Sequence, residues 1–362
     1  MNQTSKSSTS TIAELWLCYG AMMCLAIAVN LPPVYLTTFS ETFGGDKGLS
    51  LEQLGRIPAF VFAFFVLAIL VCGPLADRWG GKLFVMLGLA LTCMGLVLLG
   101  GAASYEMLLA AWVLMGLGAG MLEMVLTPLV SALQPHRRAS AMNWLHAFYC
   151  IGALGTVLIG AGALHLGIPW RSVAFAMIAL PAAMLAGFAG MRVPPLVQKD
   201  ARRKPVSALL KHPFFLAGLA AILLGGAVEH GLAQWLPAYT ERVMGFSKAT
   251  GGMVLAGFLM AMIVGRMLAA SAGHHMSPIR LMIFCCIALI GLFAVACFSL
   301  NAPVALSACI AIGLAGSCLW PTTLGVIGDR FPHGGASMFA LLSASGNAGC
   351  FIMPWVVGIV AA

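Results

Sequence analysis

The sequence predicts an all-α integral membrane protein of eleven visible spans in two related halves, and three observations carry that prediction. The 362 residues are 61% hydrophobic and 8% charged, with a mean hydropathy of +1.00, which excludes a soluble globular domain. Apolar runs long enough to cross about 30 Å of hydrocarbon recur along the whole chain. The remaining charges gather in short polar breaks between those runs. The 42 glycines fit this picture, because small residues let membrane helices approach closely where no hydrophobic drive exists between them.

Residues 1–10 are polar and lack the pattern of a cleaved signal, so the first apolar run, about 12–39, is expected to remain as a helix. The second, about 52–75, and the third, about 83–101, flank a compact charged turn, Gly73-Pro74-Leu75-Ala76-Asp77-Arg78-Trp79-Gly80-Gly81-Lys82. Those two helices must hairpin through the bilayer. Runs at about 105–132, 139–164 and 171–190 complete a first half, residues 1–191, of six spans. Residues 192–212, with Pro194, Pro195, Pro205 and a cluster of Lys and Arg, read as a cytoplasmic linker. Five runs follow, at about 213–239, 248–271, 278–298, 303–328 and 335–361, giving a second half over 213–362. Gly265-Arg266 and His274 to Arg280 faintly echo Gly73 to Lys82, as a parallel repeat would. Two six-helix bundles would require a twelfth span, and one is expected beyond Ala362.

The net charge of +8 does not call for a nucleic-acid partner, since its distribution follows the membrane. With the N-terminus inside, fourteen of the 19 Lys and Arg residues, Arg266 among them, fall on the cytoplasmic side. That places the chain in the cell (inner) membrane with a cytoplasmic N-terminus. The 11 cysteines all lie within or at the edge of apolar runs, without paired spacing in polar loops, and read as packing residues. No metal and no cofactor are expected.

Ionisable groups inside spans are the candidate functional residues, since a charge at helix centre costs about 2.5–3.5 kcal/mol even on the mildest scale. Glu123 lies well inside the fourth span. Glu229 and His230 lie midway along the seventh, with Gln234 one turn beyond His230 on the same face. His146 lies in the fifth span, with Asn143 and Tyr149 three residues to either side. Asn30, Trp320 and Asn347 are polar or amphipathic groups able to line a cavity. A carboxyl group in such a setting can carry a proton across as a neutral acid, and Glu123 fits that role best, with Glu229 second. The bland reading of Glu123 is a neutral acid hydrogen-bonded to a neighbouring helix, that of Glu229 and His230 a self-satisfied polar pair, that of His146 donation to a backbone carbonyl, and that of Asn30, Trp320 and Asn347 a helix-packing contact.

The turn pattern G-x-L-a-D-R-x-G-x-K, carried by Gly73, Asp77, Arg78, Gly80 and Lys82, resembles the signature loop of the major facilitator superfamily, departing from it at Gly81. The resemblance implies the major facilitator fold, two pseudo-symmetric six-helix bundles, and transport by alternating access. Asp77 could then accept from the amides of Gly335, Ala336 and Ser337 as a latch between the halves. Within the superfamily, Gly118-Ala119-Gly120-Met121-Leu122-Glu123 with Pro128, and Met142 to Ala153, resemble the fucose:proton symporter family. That likeness implies proton coupling at Glu123 and solute contacts at His146 and Tyr149. The sequence departs where the family places an acid deep in the first span; Asn30 is the nearest polar group.

The expectation is a monomeric, proton-coupled symporter importing a small polar solute such as a sugar or organic acid. Its partners are that solute, protons and the bilayer. Export or facilitated passage of an amphipathic compound is the alternative within transport. An enzyme is disfavoured because the sequence shows no nucleophile and base at usable spacing, no H-E-x-x-H cluster and no phosphate-cradling glycine loop. A sensor would need an output domain, and the longest polar stretch is too short for one.

Overall fold

The computed structural model describes residues 2–133, 138–191, 206–272, 276–331 and 335–361, and the side chains of Gly73, Pro74, Asp77, Arg78, Asn143 and residues 335–337 lie outside the described part. Among the described residues every extended regular element is helical. In chain order these are α1 (Asn2–Phe43), α2 (Leu51–Trp79), α3 (Gly81–Gly100), α4 (Tyr105–Leu133), α5 (Arg138–His165), α6 (Trp170–Ala176) and α7 (Ala179–Gly190). After them come α8 (Val206–Leu209), α9 (Pro213–Arg242), α10 (Lys248–Ala272), α11 (Pro278–Phe298), α12 (Ala302–Gly316), α13 (Leu319–Arg330) and α14 (Gly335–Val360). Eleven segments are long and apolar enough to cross a membrane, at the positions the apolar runs predict.

The sixth and tenth spans are each broken in two, and a proline explains both breaks. Pro181 has no N–H to offer the carbonyl of Met177, and Pro321 has none for Ser317. Met177 is the C-cap residue just after α6, and Ser317 is the one just after α12. Each proline then sits in the first turn of the following helix, where the lost donor has no intrahelical role.

Packing divides the chain into two compact units that do not follow its order. One holds Met1–Val29, Ala63–Thr156 and Pro169–Ala201; the other holds Asn30–Phe62, Val157–Ile168 and Arg202–Ala362. Helices α1, α2 and α5 therefore contribute their two ends to different units. In α1 the change falls just before Pro32 and Pro33, which remove two successive donors from the helix.

The first unit is organised by close approach of α3 and α4. A Cβ on Gly88 would lie 2.9 Å from the carbonyl oxygen of Gly118, and one on Gly118 would lie 2.8 Å from the hydroxyl of Thr92. Glycine at both positions is what lets the helices touch. Lys82, at the start of α3, donates to the carbonyl oxygens of Ala189 (2.8 Å) and Met191 (2.8 Å), satisfying acceptors at the end of α7. Lys82→Met is expected to cost about 1 kcal/mol through the loss of this charged cap, read as a lowered melting temperature in detergent.

The second unit is built on α9 and α14. Cys350 donates its thiol to the carbonyl of Gly226 at 3.6 Å, Ser345 donates to that of Leu219 at 3.0 Å, and the Trp235 indole donates to that of Pro354 at 2.9 Å. The C-terminal half of α1 and the N-terminal half of α2 also pack here. Tyr35 donates to the Gly160 carbonyl at 3.2 Å, Glu41 pairs with Lys248, and the Trp355 indole donates to Glu52 at 2.8 Å. Leu209, Phe215, Ile222, Ile327, Phe331, Met338 and Leu342 form a buried apolar cluster in this unit.

Candidate functional site

The second unit gathers a charged cluster inside its membrane-spanning helices. Glu229 lies about 24 Å from the start of α9 at 1.5 Å per residue, near the middle of the helix. Its Oε1 is 3.4 Å from Nη2 of Arg266 on α10 and 3.7 Å from Nε2 of its neighbour His230. Side-chain exposure falls from 25% for Arg266 to 12% for His230 and 9% for Glu229, so the carboxylate is the deepest member. The Phe62 ring meets the His230 imidazole edge-on with centroids 4.8 Å apart. Nδ1 of His230 is buried and has no hydrogen-bond partner among the described residues.

Arg266, counted above on the cytoplasmic side, takes part in this cluster, a contact the sequence reading did not assign. It lies within the span Lys248–Ala269 and turns its guanidinium onto Glu229. The reason is electrostatic: a carboxylate in mid-span needs a counter-charge, and within α10 only Arg266 can reach one. The place of Arg266, three residues from the end of that span, makes it look like a boundary cation in the sequence.

The other candidates fall out as follows. Gln234 is buried one turn beyond His230, and Asn30 is buried in α1. Asn347 is buried in α14 and spends one amide N–H on the Ser343 carbonyl of its own helix at 2.9 Å. Trp320 lies over Gly346, where a Cβ would lie 3.1 Å from the ring carbon Cε3, and packs against the apolar cluster. In the first unit, Glu123 is half-buried in α4 and makes no hydrogen bond or ion pair among the described residues. His146 and Tyr149 are half-buried on α5, and the Asn143 side chain lies outside the described part. Beside them Tyr19 and Phe148 stack with centroids 4.8 Å apart, and Trp16 meets Phe148 edge-on at 5.5 Å. Of the signature turn, Gly80 has φ +85°, which explains why glycine stands there. The Gly73, Asp77 and Arg78 side-chain positions lie outside the described part. Among the described residues no group of three or more His, Cys, Asp or Glu could hold a metal ion.

Eleven spans carrying an ion pair and a histidine in their interior define a multi-pass membrane protein with polar chemistry at membrane depth. Residues 16–361 match the Major Facilitator Superfamily, and the chain belongs to that family. It is a transporter and not an enzyme. A protein of Mycobacterium tuberculosis described as a probable nitrate/nitrite transporter NarK2 is 26% identical over 343 residues, covering 88% of this chain and 82% of that protein. The crystal structure of a D-xylose-proton symporter superposes with a TM-score of 0.79 at 11% identity, covering 97% of this chain and 90% of that one. That of the E. coli fucose:proton symporter FucP does so with a TM-score of 0.69 at 20% identity, covering 97% and 92%. At such identities the structural likeness establishes the major facilitator fold.

Proposed function

We propose that this transporter is a proton-coupled symporter importing a small polar solute, such as an organic acid or a sugar, by alternating access. The observation that carries the reading is the Glu229–His230–Arg266 cluster, three ionisable side chains held together in membrane-spanning helices. Such groups are costly at that depth and are kept where protons or ions are handled. Glu229 and Glu123 are the proton-coupling groups. Asn30, Asn143, His146, Tyr149, His230, Gln234, Trp320 and Asn347 serve the solute, and the turn of Gly73, Asp77, Arg78, Gly80 and Lys82 serves the gate. The two halves, 1–191 and 213–362, rock about the site as a monomer in the inner membrane, joined by the cytoplasmic linker 192–212, with the N-terminus cytoplasmic.

The test is solute-driven pH change in proteoliposomes holding wild type or Glu123→Gln, screened across sugars, organic acids and amphipathic compounds. Proton uptake with one solute class is expected, falling at least about tenfold in the variant, as loss of a coupling carboxyl requires. Solute movement with no proton movement in wild type would sink the symport reading in favour of a facilitator. Solute and proton moving in opposite directions would establish an exporter instead.

A further inference from the structure

The eleven cysteines read in the sequence as packing residues, and all eleven are free thiols. Two of them are placed for chemistry. Cys285 lies about 10.5 Å into α11, and Cys318 lies in the break between α12 and α13. The Cys318 thiol donates to the Cys285 sulfur across 3.3 Å, although 33 residues separate the two in sequence. A disulfide holds its sulfurs about 2.05 Å apart, so a further approach of about 1.2 Å would close the bond.

No other pairing competes for either sulfur within the second unit. Cys297, on the same helix, is about 18 Å from Cys285, and Cys309 is about 13.5 Å from Cys318 along the tenth span. Cys286 is the immediate neighbour of Cys285, and one residue along a helix turns its side chain about 100° away. The exposure of the pair is unequal: Cys318 is buried, whereas Cys285 is half-exposed. What lies outside Cys285 is hydrocarbon, because Phe284, Ile287 and Ile290 around it on α11 are exposed apolar side chains within a membrane-length span. A reagent that reaches Cys285 from this side is therefore lipid-soluble.

The break that carries Cys318 is packed on its other side as well. Pro321 leaves the Ser317 carbonyl without its helical donor, and the Ser317 hydroxyl donates back to the Leu314 carbonyl at 2.7 Å. A Cβ on Gly265 would press on that hydroxyl and that carbonyl, so α10 passes against the break at the residue beside Arg266. A bond from Cys318 to α11 would thus fix, from the lipid side, the interruption on which the charged cluster's own helix rests.

We propose that Cys285 and Cys318 form an oxidation site for a lipid-soluble organic hydroperoxide, and that their disulfide clamps the break in the tenth span to α11. The Cys285 sulfur attacks the terminal peroxide oxygen; the S–O bond forms, the O–O bond breaks, and the thiol proton leaves with the alkoxide as an alcohol. The Cys318 S–H, already directed at that sulfur, hydrogen-bonds the negative charge developing on it. The Cys318 sulfur then attacks the sulfenic acid on Cys285; the S–S bond forms, the S–O bond breaks, and water departs with the second thiol proton. Two thiols lose two electrons, and one hydroperoxide becomes one alcohol and one water. A dithiol reductant reverses the step by exchange.

The experiment treats the full chain in proteoliposomes with cumene hydroperoxide, alkylates the remaining thiols and maps the peptides by mass spectrometry. A peptide pair joined through Cys285 and Cys318 is expected, with nine alkylated cysteines in place of eleven and recovery of all eleven after dithiothreitol. Closing a loop of about 33 residues should raise the melting temperature in detergent on the order of 5 °C, and slow amide exchange at residues 316–320 at least about tenfold. In Cys318→Ala the sulfenic acid should persist on Cys285 and be trapped by dimedone, whereas Cys297→Ala should cross-link like wild type. The wild-type measurements stand alone if a variant fails to fold. Dimedone adducts on both cysteines without a cross-link, or a cross-link through Cys286 in place of Cys285, would overturn the site. A Cys285–Cys318 disulfide that leaves melting and exchange unchanged would overturn the clamp.

Discussion

Gly349→Leu is expected to abolish the packing of α9 against α14 and with it the folded protein, and even Gly349→Ala should cost on the order of 3 kcal/mol or more. A Cβ at this position would press on the carbonyl group of Leu223, 2.9 Å from its carbon, and lie 3.0 Å from the amide nitrogen of Ala227. Those atoms belong to the backbone of α9 and cannot rotate aside as a side chain could. The two helices would have to separate, and separation would break the Cys350 to Gly226 and Ser345 to Leu219 hydrogen bonds together. The same helix carries Glu229, so its displacement would reach the charged cluster as well. Gly291→Ala is the control: a Cβ there meets nothing within 4 Å, and the change should be neutral or stabilising by up to about 1 kcal/mol from helix propensity. The measurement is the monodisperse yield and melting temperature of the three variants in detergent. A Gly349→Leu protein that melts like wild type would show that α9 and α14 are not held at this distance.

What the sequence made legible follows from which forces act locally. Spans were readable because hydrocarbon demands about 20 apolar residues in a row, and the runs coincide with the eleven membrane-length segments. Glu229 and His230 were readable because a charged group in such a run stands out against its neighbours. Arg266 was not, because three residues from the end of its span it resembles a boundary cation, and its partner lies 37 residues away on another helix. The glycines were readable as packing residues in number, yet which pairs touch depends on helix rotation and crossing. Gly88 with Gly118 is such a pair, and so is Gly226 with Gly346. The breaks in the sixth and tenth spans were available from Pro181 and Pro321 by counting four residues back, although hydropathy alone bridges both. The division of α1, α2 and α5 between two packing units had no sequence signal beyond Pro32 and Pro33.

Removing one member of the Glu229–Arg266 pair is expected to destabilise the protein far more than removing both. In Arg266→Gln, Glu229 would lose its guanidinium partner at low exposure, and the loss should approach about 3 kcal/mol, the lower end of the range for breaking a buried pair, since Arg266 is partly accessible. Glu229→Gln should cost less, about 1–2 kcal/mol, because a guanidinium on a long stem can shift toward water or the membrane surface. The double variant Glu229→Gln with Arg266→Gln buries two amides that can hydrogen-bond each other, so it should recover most of what Arg266→Gln loses. A coupling energy of about 2.5 kcal/mol or more from the four melting curves would measure the pair's direct interaction. Salt should change it little, because charges at this depth are poorly screened. Additive losses would mean that the 3.4 Å approach contributes nothing to folding, and that Arg266 is held near Glu229 by the packing of α10 alone.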